Sequence, residues 1–201
     1  MNGTIEITDL DREMAKKVFE ANFGNTKADK DIFYELCFCI CAPQTTFKNN
    51  IQVINKLREL DFYGYEDEIK LEFLWKIVKP VRFYKRKTEF LLEAKQKFDE
   101  VLVWVKSGIP AWAKRDWLVK NVKGLGLKAS SHFLRNLGAN DLAIIDTHIL
   151  KFLNVKDKKW DYFKLENILR QQASMLGITV AELDIIVWKH YSKTDWKDYV
   201  Y

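Results

Sequence analysis

Apolar residues recur at steps of three and four along almost the whole of this chain, and that period constrains its fold more than any other feature. A 3.6-residue repeat gathers side chains on one helix face, whereas a half-buried strand needs strict alternation. No alternating pair of segments stands out, and eight Gly and three Pro are too few for a turn-dense all-β protein. The expected class is all-α. The period predicts helices at about 10–21, 29–42, 45–60, 67–78, 82–106, 111–121, 128–137, 146–153, 161–175 and 179–191. Asp11 and Asp31 can cap first turns, Pro80 and Pro110 punctuate, and Gly108, Gly138 and Gly177 follow periodic runs. Pro43 breaks a helix just before Gln44-Thr45-Thr46, which places these polar residues at a helix-to-helix junction.

The 201 residues, 48% of them hydrophobic and 14% aromatic, can bury a sizeable core, which excludes a disordered chain. That length allows one large domain or two small interlocked ones. No apolar run approaches the roughly 20 residues that span a bilayer. The first residues, Met-Asn-Gly-Thr-Ile-Glu, lack the basic-then-apolar pattern of a secretory signal, so a cytoplasmic protein with no membrane contact is expected. Cys37, Cys39 and Cys41 sit at C-x-C-x-C within an apolar stretch. Three cysteines this close form no disulfide framework and fit a reducing compartment. A zinc or iron–sulfur site normally takes four ligands, and no second cysteine cluster exists. Buried free thiols are therefore expected, with no metal and no cofactor.

Charge is unevenly spread. The formal net charge is +5, yet residues 82–128 carry twelve Lys/Arg against five Asp/Glu, a local +7 that leaves the remainder near −2. Phe83, Tyr84, Trp112 and Trp117 are interleaved with those cations. A phosphate-tracking, base-stacking surface has this composition. A solvated helix face rich in lysine has it too, and composition alone leaves both open.

The segment at 118–137, Leu-Val-Lys-Asn-Val-Lys-Gly-Leu-Gly-Leu-Lys-Ala-Ser-Ser-His-Phe-Leu-Arg-Asn-Leu, is more specific. One helix runs into Gly124-Leu125-Gly126 and another begins near Lys128. Glycine takes φ > 0 without steric penalty, so the pair permits a tight helix–helix turn that Leu125 can pin into the core. The first amides of the following helix have no intrahelical acceptor, and with the helix dipole they make an anion site suited to a DNA phosphate. Many helical hairpins use G-x-G structurally; the basic surroundings give it weight here. Downstream, Ala143-Ile-Ile-Asp146-Thr-His148 ends an apolar run on an aspartate that can cap the next helix, and an ordinary cap is the plain alternative to a functional carboxylate.

Val122-Lys-Gly-Leu-Gly-Leu-Lys128-Ala, followed 18 positions later by Asp146-Thr-His, resembles the signature of the helix-hairpin-helix DNA glycosylase superfamily. Lys128 falls two residues after the second hairpin glycine, where bifunctional members carry their catalytic lysine. Phe38-Cys-Ile-Cys-Ala-Pro-Gln44-Thr-Thr-Phe-Lys-Asn-Asn resembles the junction that such enzymes push into the DNA gap. Arg82-Phe-Tyr-Lys-Arg-Lys-Thr-Glu-Phe-Leu resembles the start of the family's long central helix. The match runs from about residue 33 to 153. No cysteine follows Cys41, unlike the iron–sulfur branch typified by endonuclease III, and the β-sheet domain of the eukaryotic type is missing. The chain is therefore most similar to the second, archaeal-type family of 8-oxoguanine DNA glycosylase/lyases.

The resemblance implies an all-α fold of two helical subdomains, the hairpin between them and the active-site cleft at their junction. Helices within about 1–30 and 154–201 would form one subdomain, and 31–153 would hold the central helices and the hairpin. It implies base excision repair of 8-oxoguanine in double-stranded DNA by a monomer without an obligate protein partner. Alternatives are a glycosylase for oxidised pyrimidines and a non-catalytic DNA-binding hairpin. Lys128 would attack the sugar C1′, expel the base and form a Schiff base from which β-elimination cleaves the strand. A lysine attacks only as the neutral amine, which burial or nearby cations such as Lys123 would favour. Asp146 would stabilise cationic character on the sugar and assist later proton transfers. Gly124, Gly126 and Lys123 would contact DNA, Gln44 would fill the gap or touch the opposite base, and His148 would reach a phosphate or pack in its helix. Phe83 and Trp196 would sandwich the extruded base; Trp188, inside the helical period, is expected to be buried. The aromatic tail from Asp195 to Tyr201 would dock near the pocket.

Overall fold

Helix α2 (Asp29–Cys41) explains much of the arrangement, because from Ile32 onward its residues are apolar on nearly every side and eight of its thirteen are buried. Such a helix must be surrounded. In the computed structural model, which describes residues 5–24, 26–65, 70–157, 159–193 and 195–196, it is packed by α3 (Phe47–Glu59) and α5 (Tyr84–Gln96). The ring of Phe33 meets those of Tyr34, Phe62, Tyr63 and Phe98 at centroid distances of 5.0–5.6 Å. All three cysteines are fully buried free thiols, serving α2 as small apolar side chains. Among the described residues every regular element is a helix.

The chain divides into two units, 27–133 and 1–26 with 134–201. The first holds α2, α3, α4 (Leu71–Val78), α5, α6 (Phe98–Lys106), α7 (Ala111–Asn121) and most of α8 (Leu127–Asn136). The second holds α1 (Asp9–Phe23), α9 (Thr147–Phe152), α10 (Tyr162–Met175) and α11 (Val180–Ser192). Its centre is α11, which packs on α1, α9 and α10 and buries Leu183, Ile185, Ile186 and Val187. Reciprocal capping boxes start two of these helices, Thr8 with Asp11 and Thr179 with Glu182. Asp11 thus supports its cap as the third helical residue, and Asp31 lies inside α2, bonded to Arg58, without capping it.

Two predicted boundaries need correction. The periodic run at 82–106 is two helices that meet at Lys97 (φ −97°, ψ 8°), because Leu91, Ala94, Phe98 and Val101 keep the core supplied across the break. The helix expected from 67 starts at Leu71, because Lys70 is extended (φ −61°, ψ 130°) as its N-cap; residues 67–69 lie outside the described residues.

Candidate active site

The hairpin forms as its sequence dictates. Helix α7 ends at Asn121, Leu125 is buried at the apex, and its amide donates to Val122 O at 3.2 Å. The two glycines differ. Gly124 has φ +91°, and a Cβ built there would lie 2.8 Å from Cδ2 of Phe90. Gly126 is outside the left-handed region, and a Cβ there would meet nothing within 4 Å. The first glycine therefore shapes the turn, and the second keeps its outer side open. Lys128 follows in the first turn of α8 with its side chain exposed. Lys123 is also exposed, but its ammonium sits 2.8 Å from the Glu93 carboxylate, which Lys97 shares at 3.1 Å. Those two cations hold Glu93 below the usual carboxylate range.

Beside the hairpin, a cavity of about 550 Å³ brings Gln44, Phe83 and Gly124 together, with Lys87 and Phe90 in its wall. Gln44 and Phe83 are both left-handed, at φ +56° and +59°. That conformation costs a non-glycine residue about 1–2 kcal/mol, so the surroundings must enforce it. Phe83 stands at the N-cap of α5 with its ring half exposed and the Arg82 guanidinium 4.8 Å from its centre. Lys85 and Arg86 are exposed on the cavity rim, over the rings of Trp75 and Phe90 respectively. The mouth is therefore both cationic and aromatic.

The junction bearing Gln44 is held from several sides. Asn50 Nδ2 donates to Phe38 O at 3.0 Å, Asn49 Nδ2 to Pro80 O at 3.0 Å, and the Thr46 side chain caps α3. Lys87 is buried and donates to Cys41 O (2.6 Å), Pro43 O (2.7 Å) and Thr45 Oγ1 (3.0 Å). Burial lowers this lysine's pKa, while the Cys41 thiol acts in the opposite direction. In the sequence Lys87 is one of twelve basic residues between 82 and 128, with no motif of its own. The signal was present, since the buried stripe Phe98, Ala94, Leu91 extended back one turn lands on Lys87 and Thr88.

In the other unit, Asp146 caps α9. Its Oδ1 accepts from the amides of His148 (2.8 Å) and Ile149 (2.9 Å), and among the described residues no bond falls on Oδ2. The segment leading to it is clamped from α10. Ala143 N donates to the buried Glu166 carboxylate at 3.0 Å, and Tyr162 OH donates to Ala143 O at 2.7 Å. The His148 ring lies parallel to that of Tyr191 at 6.0 Å, so it is packed within the unit. Trp196 is 8% exposed against Ala15, Val18, Ile185 and Ile186, with Lys189 Nζ 5.1 Å from its ring centre. Trp188 is 39% exposed, contrary to the burial its period predicts, because α11 buries its neighbours Leu183, Ile186 and Val187. The tail beyond Trp196, with Tyr201, lies outside the described residues.

Comparison with known families identifies the assembly of these parts. The family described as 8-oxoguanine DNA glycosylase matches residues 14–178, which include the hairpin, Lys128 and Asp146. The chain belongs to the 8-oxoguanine DNA glycosylase family. Within it, this glycosylase is 34% identical over 194 residues to the 8-oxoguanine DNA glycosylase/AP lyase of Methanocaldococcus jannaschii, covering 91% of this chain and 89% of the relative. It is also 34% identical to the enzyme of that name from Fusobacterium nucleatum, covering 91% and 92%. Its fold matches the crystal structure of the M. jannaschii enzyme in complex with a 15mer DNA containing 8-oxoguanine, with a TM-score of 0.78, 29% identity and 93% of each chain covered. The 8-oxoguanine DNA glycosylase of Thermotoga maritima matches with a TM-score of 0.75 at 26% identity, covering 92% of this chain and 96% of that one. The all-helical class expected from the period thus agrees with the family's solved structures.

Proposed function

We propose that this chain is a bifunctional DNA glycosylase/AP lyase that excises 8-oxoguanine from double-stranded DNA and then cleaves the strand. The observation that carries the reading is an exposed amine, Lys128, in the first turn of the helix after the Gly-Leu-Gly hairpin, in a chain matching named glycosylase/AP lyases over nine tenths of its length. The reaction needs no bound cofactor, because the lysine supplies the nucleophile. The neutral Lys128 amine attacks C1′ as the N-glycosidic bond breaks, and the base departs with a proton. Ring opening gives a Schiff base whose cationic nitrogen acidifies the neighbouring C2′ proton. Loss of that proton expels the 3′ phosphate, and water releases the enzyme.

Asp146 supports the cationic stages. Its Oδ1 is occupied by two amides, which fixes the carboxylate and leaves Oδ2 for the developing charge. The amides of the hairpin and of α8 take a phosphate, with the open side of Gly126 giving the backbone room to approach. Phe83 stacks on the extruded base, Trp196 offers only its small exposed edge, and Gln44 fills the vacated position. Lys123 and His148, engaged by Glu93 and Tyr191, contribute to DNA binding from the margins. The enzyme acts as a monomer in the cytoplasm. Among the described residues no helix is long and apolar enough to cross a membrane.

Borohydride trapping tests the reading. A covalent adduct with an 8-oxoguanine duplex, lost in Lys128→Gln, supports it. An adduct only with a thymine-glycol duplex would move the substrate to oxidised pyrimidines. DNA binding with no adduct on any duplex would leave a non-catalytic hairpin module.

A further inference from the structure

Two residues that line one cavity, Gln44 and Phe83, are both left-handed, although they lie 39 positions apart and neither is glycine. One residue, Lys87, reaches both, with its side chain on the Gln44 flank and its backbone in the helical turn that follows Phe83. The Lys87 ammonium bridges the α2 C-terminal carbonyl of Cys41, the carbonyl of Pro43 and the hydroxyl of Thr45, thereby enclosing Gln44 from both flanks. The same residue's backbone amide donates to Phe83 O at 3.0 Å, closing the first turn of α5 directly after the left-handed residue. The cation also sits where the α2 dipole is negative, so the site stabilises its charge even though burial opposes it. Three hydrogen bonds from one charged donor are strong enough to hold the junction in a conformation that a non-glycine residue rarely adopts.

We infer that Lys87 is a positioning residue for base extrusion: rooted in the first turn of α5 directly after Phe83, its side chain docks the junction bearing the left-handed Gln44 beside that ring, so that the one can enter the duplex as the other receives the base. Lys87 itself touches no DNA. The inference rests on the glycosylase reading above. It separates two steps of that reaction. Extrusion of an intact base depends on the pair that Lys87 positions, whereas strand cleavage at a preformed abasic site, where no base needs to leave the stack, depends on Lys128 and Asp146 and not on that pair.

The test uses the full chain and two duplexes, one with 8-oxoguanine opposite cytosine and one with an abasic site at the same position. Single-turnover rates are measured for wild type, Lys87→Met and Thr45→Val, each checked by circular dichroism and thermal melting. Loss of about 1.4 kcal/mol or more of positioning corresponds to tenfold or more in rate. Lys87→Met is expected to slow base release at least tenfold while abasic-site cleavage falls far less, and Thr45→Val to show the same split more weakly. 2-Aminopurine placed beside the lesion should brighten on binding to wild type and stay dim with Lys87→Met. A parallel fall of both rates, or no split in a folded variant, overturns the inference; if Lys87→Met does not fold, Thr45→Val decides. Wild type that cleaves abasic DNA yet releases no 8-oxoguanine would instead refute the glycosylase reading, an outcome that no Lys87 result can mimic.

Discussion

The two hairpin glycines should respond to the same substitution in opposite ways. Gly124→Ala places a Cβ at φ +91° and 2.8 Å from Cδ2 of Phe90, with Ile40 Cγ2 at 3.5 Å. The backbone term costs about 1–2 kcal/mol. Forcing a methyl against a packed ring adds about 1–3 kcal/mol. For a chain of this length the sum lowers Tm by on the order of 10 °C. Phe90 lines the cavity beside Gln44 and Phe83, so displacing its ring disturbs that cavity and activity should fall with stability. Gly126→Ala meets nothing within 4 Å and needs no left-handed backbone. It should melt within about 2 °C of wild type, or slightly above it, since alanine narrows the unfolded ensemble by about 0.4–1 kcal/mol. Its methyl, however, stands where the phosphate approaches. Loss of one charge-assisted hydrogen bond, on the order of 1.5 kcal/mol, weakens DNA about tenfold. Calorimetric melting and fluorescence anisotropy on an undamaged duplex read the two effects separately. A wild-type Tm for Gly124→Ala would refute the turn argument, and a wild-type Kd for Gly126→Ala would refute the placement of the phosphate.

Lys128→Gln should form no borohydride adduct yet bind DNA with a salt slope only about 0.9 shallower, the share of a single phosphate contact; a residual adduct would assign the nucleophile elsewhere. Asp146→Asn keeps a capping oxygen, so its Tm should match wild type while base release falls about 100-fold, and Asp146→Ala should additionally lose about 1 kcal/mol of stability. Undiminished base release by folded Asp146→Asn would end the carboxylate's catalytic role. Burial pushes the Cys41 thiol up to about 12. Because the folded pKa lies above that of the unfolded thiol, stability is intact below about pH 8.5 and declines toward pH 12, by up to about 1.4 kcal/mol per pH unit per buried thiol. Urea unfolding between pH 8 and 10.5 should show a shallower decline for Cys41→Ala, and an unchanged slope would contradict the assignment.

How much of this was legible follows from what each kind of signal reports. Periodicity reports which face is buried, so the helices and the all-α class were readable, and capping chemistry placed Asp146 at the start of α9. It does not report continuity: Leu91, Ala94, Phe98 and Val101 read as one stripe across the break at Lys97. Nor does it report handedness at a junction. Gln44 and Phe83 belong to residue types that rarely adopt φ > 0, and nothing in their own sequence demands it. The bonds around the Gln44 junction come from Lys87, 43 positions downstream, and from two asparagines of α3 that reach Phe38 O and Pro80 O, pairings that no local pattern announces.

Charge counting failed in a more instructive way. The local +7 of residues 82–128 treats twelve cations as equivalent, but they divide by environment. Lys87 and Arg115 are buried, Lys95 and Lys114 are half-buried and donate to the Tyr63 and Val105 carbonyls, Lys97 and Lys123 share Glu93, and Lys106 pairs with Asp29. Arg82, Lys85, Arg86, Lys120 and Lys128 are exposed, and among the described residues none of them forms an ion pair. Lys85 and Arg86 line the cavity, Arg82 lies over the Phe83 ring, and a fourth is the proposed nucleophile. The DNA-facing charge is therefore smaller than the composition suggests but concentrated where the base would leave the duplex. Salt dependence should then track a handful of contacts, because a cation already held by a carboxylate releases few counterions when DNA arrives.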